Sequence, residues 1–229
     1  MVPSGLAPIA CHYHRTPSPA HHRPTAVSRR GHVPGGRTIS LEVTRRFLAI
    51  LALGVDLVVI FALVLLVGSR FSTGMANLRR RIEISLHGNE LWLAFAVALT
   101  ATLGSLYLSE IAHLPPCKYC WFQRIAMYPL ALILGIAAWK KDRQVGRYVF
   151  PMAIIGGLIA SYHYLIENFP DLAGGVCDPV VPCTAPVVWE FGFVSVPFMA
   201  LAAFSLIIVL LAVARSNDRA EAEEEVYEE

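Results

Sequence analysis

Charge is what this sequence has least of. Only 16% of its 229 residues are Asp, Glu, Lys or Arg, against about a quarter in a soluble domain. Hydrophobic residues make up 55%, a balance that argues against a soluble chain and for a membrane protein. No basic stripe interleaved with aromatics is present, so nucleic acid is not an expected partner. The net charge of +2 names no partner either, and there is no internal repeat. From Glu167 to Ser195 there is no Lys or Arg at all. Cysteine is sparse, with five in the chain, but its placement proves informative.

Residues 1–46 form a tail rich in Pro, His, Arg, Ser and Gly without apolar periodicity. Such a segment buries too little apolar surface to offset its ordering entropy, and disorder is the expectation. Five of the eight histidines lie there: His12, His14, His21, His22 and His32. Scattered histidines without neighbouring Cys or acidic ligands read as solvated tail rather than a metal site. Five apolar stretches follow, each near the ~20 residues a spanning helix needs. They run roughly over Phe47–Val67, Leu91–Ser109, Trp121–Trp139, Tyr148–Ile166 and Val196–Ala214.

Lys and Arg in short loops stay on the cytoplasmic side. For the last four stretches, one side carries ten basic residues (Arg70, Arg79, Arg80, Arg81, Lys140, Lys141, Arg143, Arg147, Arg215 and Arg219) and the other carries Lys118 alone. The Lys140–Arg147 loop and the C-terminus are therefore expected in the cytoplasm, and the two cysteine-bearing loops outside. The first stretch conflicts with this order, because the tail before it holds seven Arg and Asp56 falls near its middle, where a charge is expensive. It reads as an extra helix with its N-terminus outside, as a segment that is removed or interfacial, or as the product of a misassigned start. In the last case Met75, just before Asn77-Leu78-Arg79-Arg80-Arg81, is the natural beginning. The stretch and its tail are too long for an ordinary signal peptide.

Cys117 and Cys120 lie in the first outward loop and Cys177 and Cys183 in the second, the oxidising side on which disulfides persist. Cys11 stands apart in the tail. Cys117-Lys118-Tyr119-Cys120 is a C-x-x-C at the entrance of a helix, where the N-terminus stabilises a thiolate; Pro115-Pro116 stops the helix before it. Zinc would want a second close pair or a nearby His, and CDPVVPC supplies neither, so no metal is expected. Arg124 follows Cys120 by one turn on the same face. There it suits stabilising a thiolate or the charge developing on an acceptor, and equally suits an interfacial Arg that snorkels outward. His163, between two tyrosines, suits an acceptor pocket, a proton shuttle or plain helix packing. Met127 and Tyr128 read as packing, Glu110 as interfacial, and Trp92, Trp121, Trp139 and Trp189 as aromatic-belt anchors.

The run CKYCWFQRIAMYPL, Cys117–Leu130, resembles the signature of the DsbB/BdbC family of disulfide-forming membrane oxidoreductases. SYHYL (Ser161–Leu165), the Cys177/Cys183 pair and GFVSVPFMALAAF (Gly192–Phe204) follow in that family's order. The likeness covers roughly Leu91–Ala214. Phe47–Val67 has no counterpart in the usual four-helix pattern, and the loop pair is closer in sequence than in some members. In the related vitamin K epoxide reductase-like enzymes the loop cysteines precede the C-x-x-C; here the C-x-x-C comes first.

The expected fold is an all-α membrane protein, a four-transmembrane-helix bundle with an additional N-terminal hydrophobic helix. Its parts are a tail over 1–46, the extra segment and linker over 47–74, the bundle over 75–214 and an acidic cytoplasmic tail over 215–229. The resemblance implies a multi-pass protein of the cell membrane, in contact with lipid, with its redox loops on the extracytoplasmic side. It implies a DsbA/BdbD-like thioredoxin-fold partner and a quinone, ubiquinone or menaquinone, as cofactor. It also implies a relay in which the partner's thiolate attacks Cys177 of a Cys177–Cys183 bridge and the freed Cys183 attacks Cys117. Cys120 is then left as a thiolate beside the quinone, with Arg124 helping to hold both and His163 near the same pocket. Two rivals are a reductase running the other way and a membrane scaffold or transporter whose disulfides are structural. Quinone dependence separates the first, and bridges resistant to mild reductant would favour the second.

Overall fold

The computed structural model describes residues 35–173 and 181–228, and side chains within 41–173, 181–219 and at 223. Cys11, the five tail histidines and Cys177 lie outside the described residues. Among the described residues six α-helices follow one another: α1 (Gly35–Gly68), α2 (Thr73–Leu86), α3 (Glu90–Leu106), α4 (Lys118–Lys140), α5 (Gly146–Asn168) and α6 (Val196–Glu228). There is no strand among the described residues beyond one isolated bridge, Glu190 to Val194. Five helices are long and apolar enough to cross a membrane: Leu41–Gly68, Glu90–Ile111, Lys118–Lys140, Arg143–Asn168 and Val196–Arg219. The all-α reading with five spans therefore holds, and each apolar stretch lies almost wholly within one of them.

α3 to α6 run alternately up and down, with short connections from α3 to α4 and from α4 to α5 and a longer one, over 169–195, from α5 to α6. Lys141 ends α4 in the left-handed conformation, with φ 54°. The core is aliphatic and small: Ala94, Ala98, Leu130, Leu134, Val149, Ala153, Ala160, Phe204 and Ile207 are fully or almost fully buried. Small residues let helix backbones approach where no hydrophobic effect drives association in lipid. Gly156 shows how closely, since a Cβ there would overlap the ring of Phe204. The Phe204 ring fills the gap that the missing side chain leaves on α5.

α1 begins at Gly35, twelve residues ahead of Phe47, inside the segment expected to lack order. It packs on α6 and on α2, and its outer face remains apolar and exposed at Leu57, Val58, Ile60 and Phe61. The N-terminal half of α1 reaches the cysteine end of the bundle, where Arg45 donates to Glu190 Oε1 at 2.6 and 3.0 Å. Arg46 pairs with Glu42 one turn away at 2.7 Å. Part of the tail's positive charge is thus answered by carboxylates, which eases the conflict that those arginines pose for a spanning helix.

α2 has no counterpart among the apolar stretches. It is a short polar helix with no buried residue, and the i,i+4 pair Arg79–Glu83 at 2.8 Å supports it. α6 likewise continues beyond its apolar stretch, from Val196 to Glu228.

Candidate functional site

One end of the bundle gathers the C-termini of α3 and α5 and the N-termini of α4 and α6. α3 passes there into a π-helical turn, Tyr107–Ile111, and Pro115-Pro116 leads the chain, extended, into α4. Cys117 is the N-cap residue of α4, and its sulfur accepts from the Cys120 backbone N–H at 3.4 Å. A cap residue is non-helical and offers its side chain to the first turn, so C-x-x-C spacing brings the two side chains together. The sulfurs of Cys117 and Cys120 stand 3.1 Å apart as thiols, with Cys117 donating to Cys120.

His163 reaches the same sulfur from α5. It is buried, with Nε2 3.4 Å from Cys117 Sγ and Nδ1 3.3 Å from the side-chain amide of Gln123. Tyr119 covers its ring at 5.6 Å between centroids. Cys183 enters from the loop before α6: its sulfur, Cys117 Sγ and His163 Nε2 all lie within 4.8 Å of one another, all three residues buried. Ile166 and Ala173 close the pocket from behind. The loop is docked by tyrosines of α5, Tyr162 donating to the Leu172 carbonyl at 3.3 Å and Tyr164 to the Phe193 carbonyl at 3.1 Å.

The hydrogen bond that Cys117 donates to Cys120, reinforced by burial, pushes the Cys117 thiol up to about 12. Burial also raises the Cys183 thiol above its ordinary value. In the dithiol state Cys117 is therefore the proton-holding member of the pair.

Arg124 lies one turn below Cys120, but it does not snorkel outward. It is 9% exposed, donates through Nε to Ser105 Oγ at 3.0 Å and through a terminal nitrogen to the Ser105 carbonyl at 3.1 Å, and lies 5.2 Å from the Trp121 ring centroid. Tyr128 donates to the same serine at 3.4 Å. Met127 is in the core, Glu110 is exposed and accepts from Ser109, and all four tryptophans are exposed.

The structure thus brings together Cys117, Cys120, Cys183 and His163, with Arg124 one turn away; Cys177 lies outside the described residues. Gln123 and Ser105 are additions that the sequence reading lacked. Gln123 is three residues after Cys120, on the face that also carries Arg124, which was a usable signal. Nothing along the chain singles out Ser105 from the other small polar residues of its helix.

The model of the family described as disulfide bond formation protein DsbB matches residues 89–214, just over half of the chain. The chain belongs to the DsbB family. Among curated relatives it is 49% identical over 128 residues to disulfide bond formation protein C of Bacillus subtilis (strain 168), covering 93% of that protein and 56% of this chain. It is 40% identical over 131 residues to a probable disulfide formation protein of Coxiella burnetii (strain RSA 493 / Nine Mile phase I), 89% of that protein and 56% of this chain. A probable disulfide formation protein C 2 of Bacillus anthracis shares 45% over 119 residues, 85% of that protein and 52% of this chain. No solved structure gives a significant match. As a DsbB-family member the chain is a multi-pass membrane oxidoreductase of disulfide bond formation. α1 and α2 lie ahead of the matched region.

Proposed function

We propose that the protein is a protein-dithiol:quinone oxidoreductase of the cell membrane, with its cysteine end facing outward. The observation that carries the reading is the meeting of Cys183 with Cys117 beside Cys120 in one buried pocket. A dithiol partner of thioredoxin fold gives two electrons and two protons and leaves as a disulfide. Its thiolate attacks Cys177 of a Cys177–Cys183 bridge and forms a mixed disulfide. The released Cys183 thiolate attacks Cys117 of a Cys117–Cys120 bridge and frees Cys120 as a thiolate. The partner's second thiol displaces Cys177, which attacks the Cys183–Cys117 bond, restores the Cys177–Cys183 bridge and leaves Cys117 and Cys120 reduced. Each exchange forms one S–S bond and breaks one.

Burial and the raised Cys183 thiol mean that exchange needs a nearby base, and His163 stands among these sulfurs to take or return a proton at Nε2. Gln123 fixes the ring. The donor set near Cys120 fits a lipophilic carbonyl acceptor: among the described residues Arg124 hydrogen-bonds only to a neutral serine, so its charge is not cancelled, and Trp121, Phe122 and Ile125 face outward around it. Arg124 with Trp121 would hold a quinone oxygen there. A bound quinone supplies the two-electron sink.

Purified full-length protein should reduce quinone when given a reduced thioredoxin-like protein. A reduced partner lacking its second cysteine should accumulate a mixed disulfide with Cys177 of the unsubstituted protein, visible on a non-reducing gel. Cys183→Ala, which has no bridge to attack, should not form it. Absence of quinone reduction by the unsubstituted protein would sink the reading.

A further inference from the structure

We propose that, when its thiols are reduced, the protein binds one zinc-like divalent ion through Cys117, Cys183 and His163. Their donor atoms lie within 4.8 Å of one another, and the pair Cys117 Sγ and His163 Nε2 is 3.4 Å apart. Tetrahedral zinc, at about 2.3 Å from sulfur and 2.0 Å from nitrogen, places its ligand atoms roughly 3.5–3.8 Å apart. A small approach of Cys183 closes the set. All three side chains are buried in a shell that includes Ile166, Ala173 and Val181. Cys120 Sγ is 3.1 Å from Cys117 Sγ but lies outside the set of three converging donors.

The Gln123 amide nitrogen stands 3.3 Å from His163 Nδ1. With that amide turned over, its oxygen accepts the Nδ1 proton and leaves the Nε2 lone pair for the ion, as in metal-binding histidines. Two thiolates and an imidazole are a soft set that favours zinc-like ions and disfavours magnesium or calcium. The charge balance is simple: the ion enters, the Cys117 and Cys183 thiols release two protons, and no electron moves.

Oxidation removes the site, because a sulfur in a disulfide is no longer a thiolate ligand. Conversely, a bound ion occupies both sulfurs and holds the protein in its reduced form. The inference needs the donor cluster but not the quinone reading, so its test omits quinone and partner.

The full-length protein with Cys11→Ser, which removes the thiol beside the tail histidines, is reduced in detergent without oxygen and titrated with Co2+. The expected result is one equivalent bound with sulfur-to-cobalt charge-transfer absorption and tetrahedral ligand-field bands, displaced by Zn2+ and absent after oxidation. His163→Ala should weaken binding about tenfold or more, and Cys183→Ser should lower the charge-transfer intensity. In the protein with both residues intact, Zn2+ should also protect Cys117 and Cys183 from alkylation, read by mass spectrometry. Loss of the charge-transfer band from the reduced protein, or uniform alkylation at saturating Zn2+, would overturn the site. A band unchanged in both variants would overturn it equally.

Discussion

At the cysteine end of the bundle the buried cation Arg124 meets a serine; at the opposite end the buried anion Glu90 meets an arginine. Glu90 is 2% exposed, accepts from Asn217 Nδ2 at 2.6 Å and lies 3.7 Å from an Arg143 terminal nitrogen. Arg143 in turn pairs with Asp218. That cluster ties α3, α6 and the turn before α5 together, with two carboxylates facing one guanidinium. At the cysteine end nothing of opposite charge sits on Arg124 among the described residues, and the sulfurs and imidazole contact one another and uncharged groups. A cation flanked by two carboxylates can hold helices but has little field left for a ligand. A cation held by neutral donors keeps its field for whatever comes to it.

The largest expected effect is at the far end. Glu90→Ala empties a buried site and strips Asn217 of its carboxylate acceptor, while Arg143 keeps Asp218. It should lower stability by about 2–4 kcal/mol, read by thermal unfolding in detergent. The rate of quinone reduction per folded molecule should not change. A large rate loss in folded Glu90→Ala protein would mean that the two ends do not divide their labour. Next comes Arg124→Ala, which should slow quinone reduction by one to two powers of ten. That corresponds to losing one charge-assisted hydrogen bond of ~1.5–3 kcal/mol, and exchange with the dithiol partner should survive. Unchanged quinone kinetics would make Arg124 as structural as Arg143.

The smallest effect sharpens the comparison through pH. Cys117 is raised to about 12 in the reduced protein, whereas a thiol in the unfolded chain ionises near ~8.5. The unfolded chain therefore loses that proton first. The contribution is fully present below about pH 8.5 and is lost as pH rises toward the folded value, at about 1.4 kcal/mol per pH unit. Thermal unfolding of the reduced protein at pH 8 and pH 10 measures this, and Cys117→Ala should remove that part of the dependence.

Much of this was legible in the chain because both signals are local. Hydrocarbon thickness sets the length of an apolar run, so the spans could be read from hydropathy alone. The C-x-x-C, Arg124 and His163 stand out because polar residues are rare in such runs. What escaped notice depends on which helix faces which. Ser105 and Gln123 acquire meaning only once α3, α4 and α5 are packed, and the same holds for Glu90 with Arg143. The helix over Thr73–Leu86 escaped because its support is i,i+4 charge pairing rather than an apolar stripe. The ordered start of α1 at Gly35 escaped because Gly, Arg, Thr and Ser carry no membrane signal.

The slot that receives Phe204 works as an alignment stop. Along α5, His163 stands seven residues past Gly156, about 10 Å up the axis. Phe204 sits on α6, just beyond the loop that carries Cys183. A slip of one residue between these helices would shift them by about 1.5 Å, enough to draw the Cys183 loop, which leads into α6, away from His163 and out of the 4.8 Å cluster. The tolerance of the sulfur pocket is thus machined two helical turns away from it, by the absence of a methyl group on Gly156.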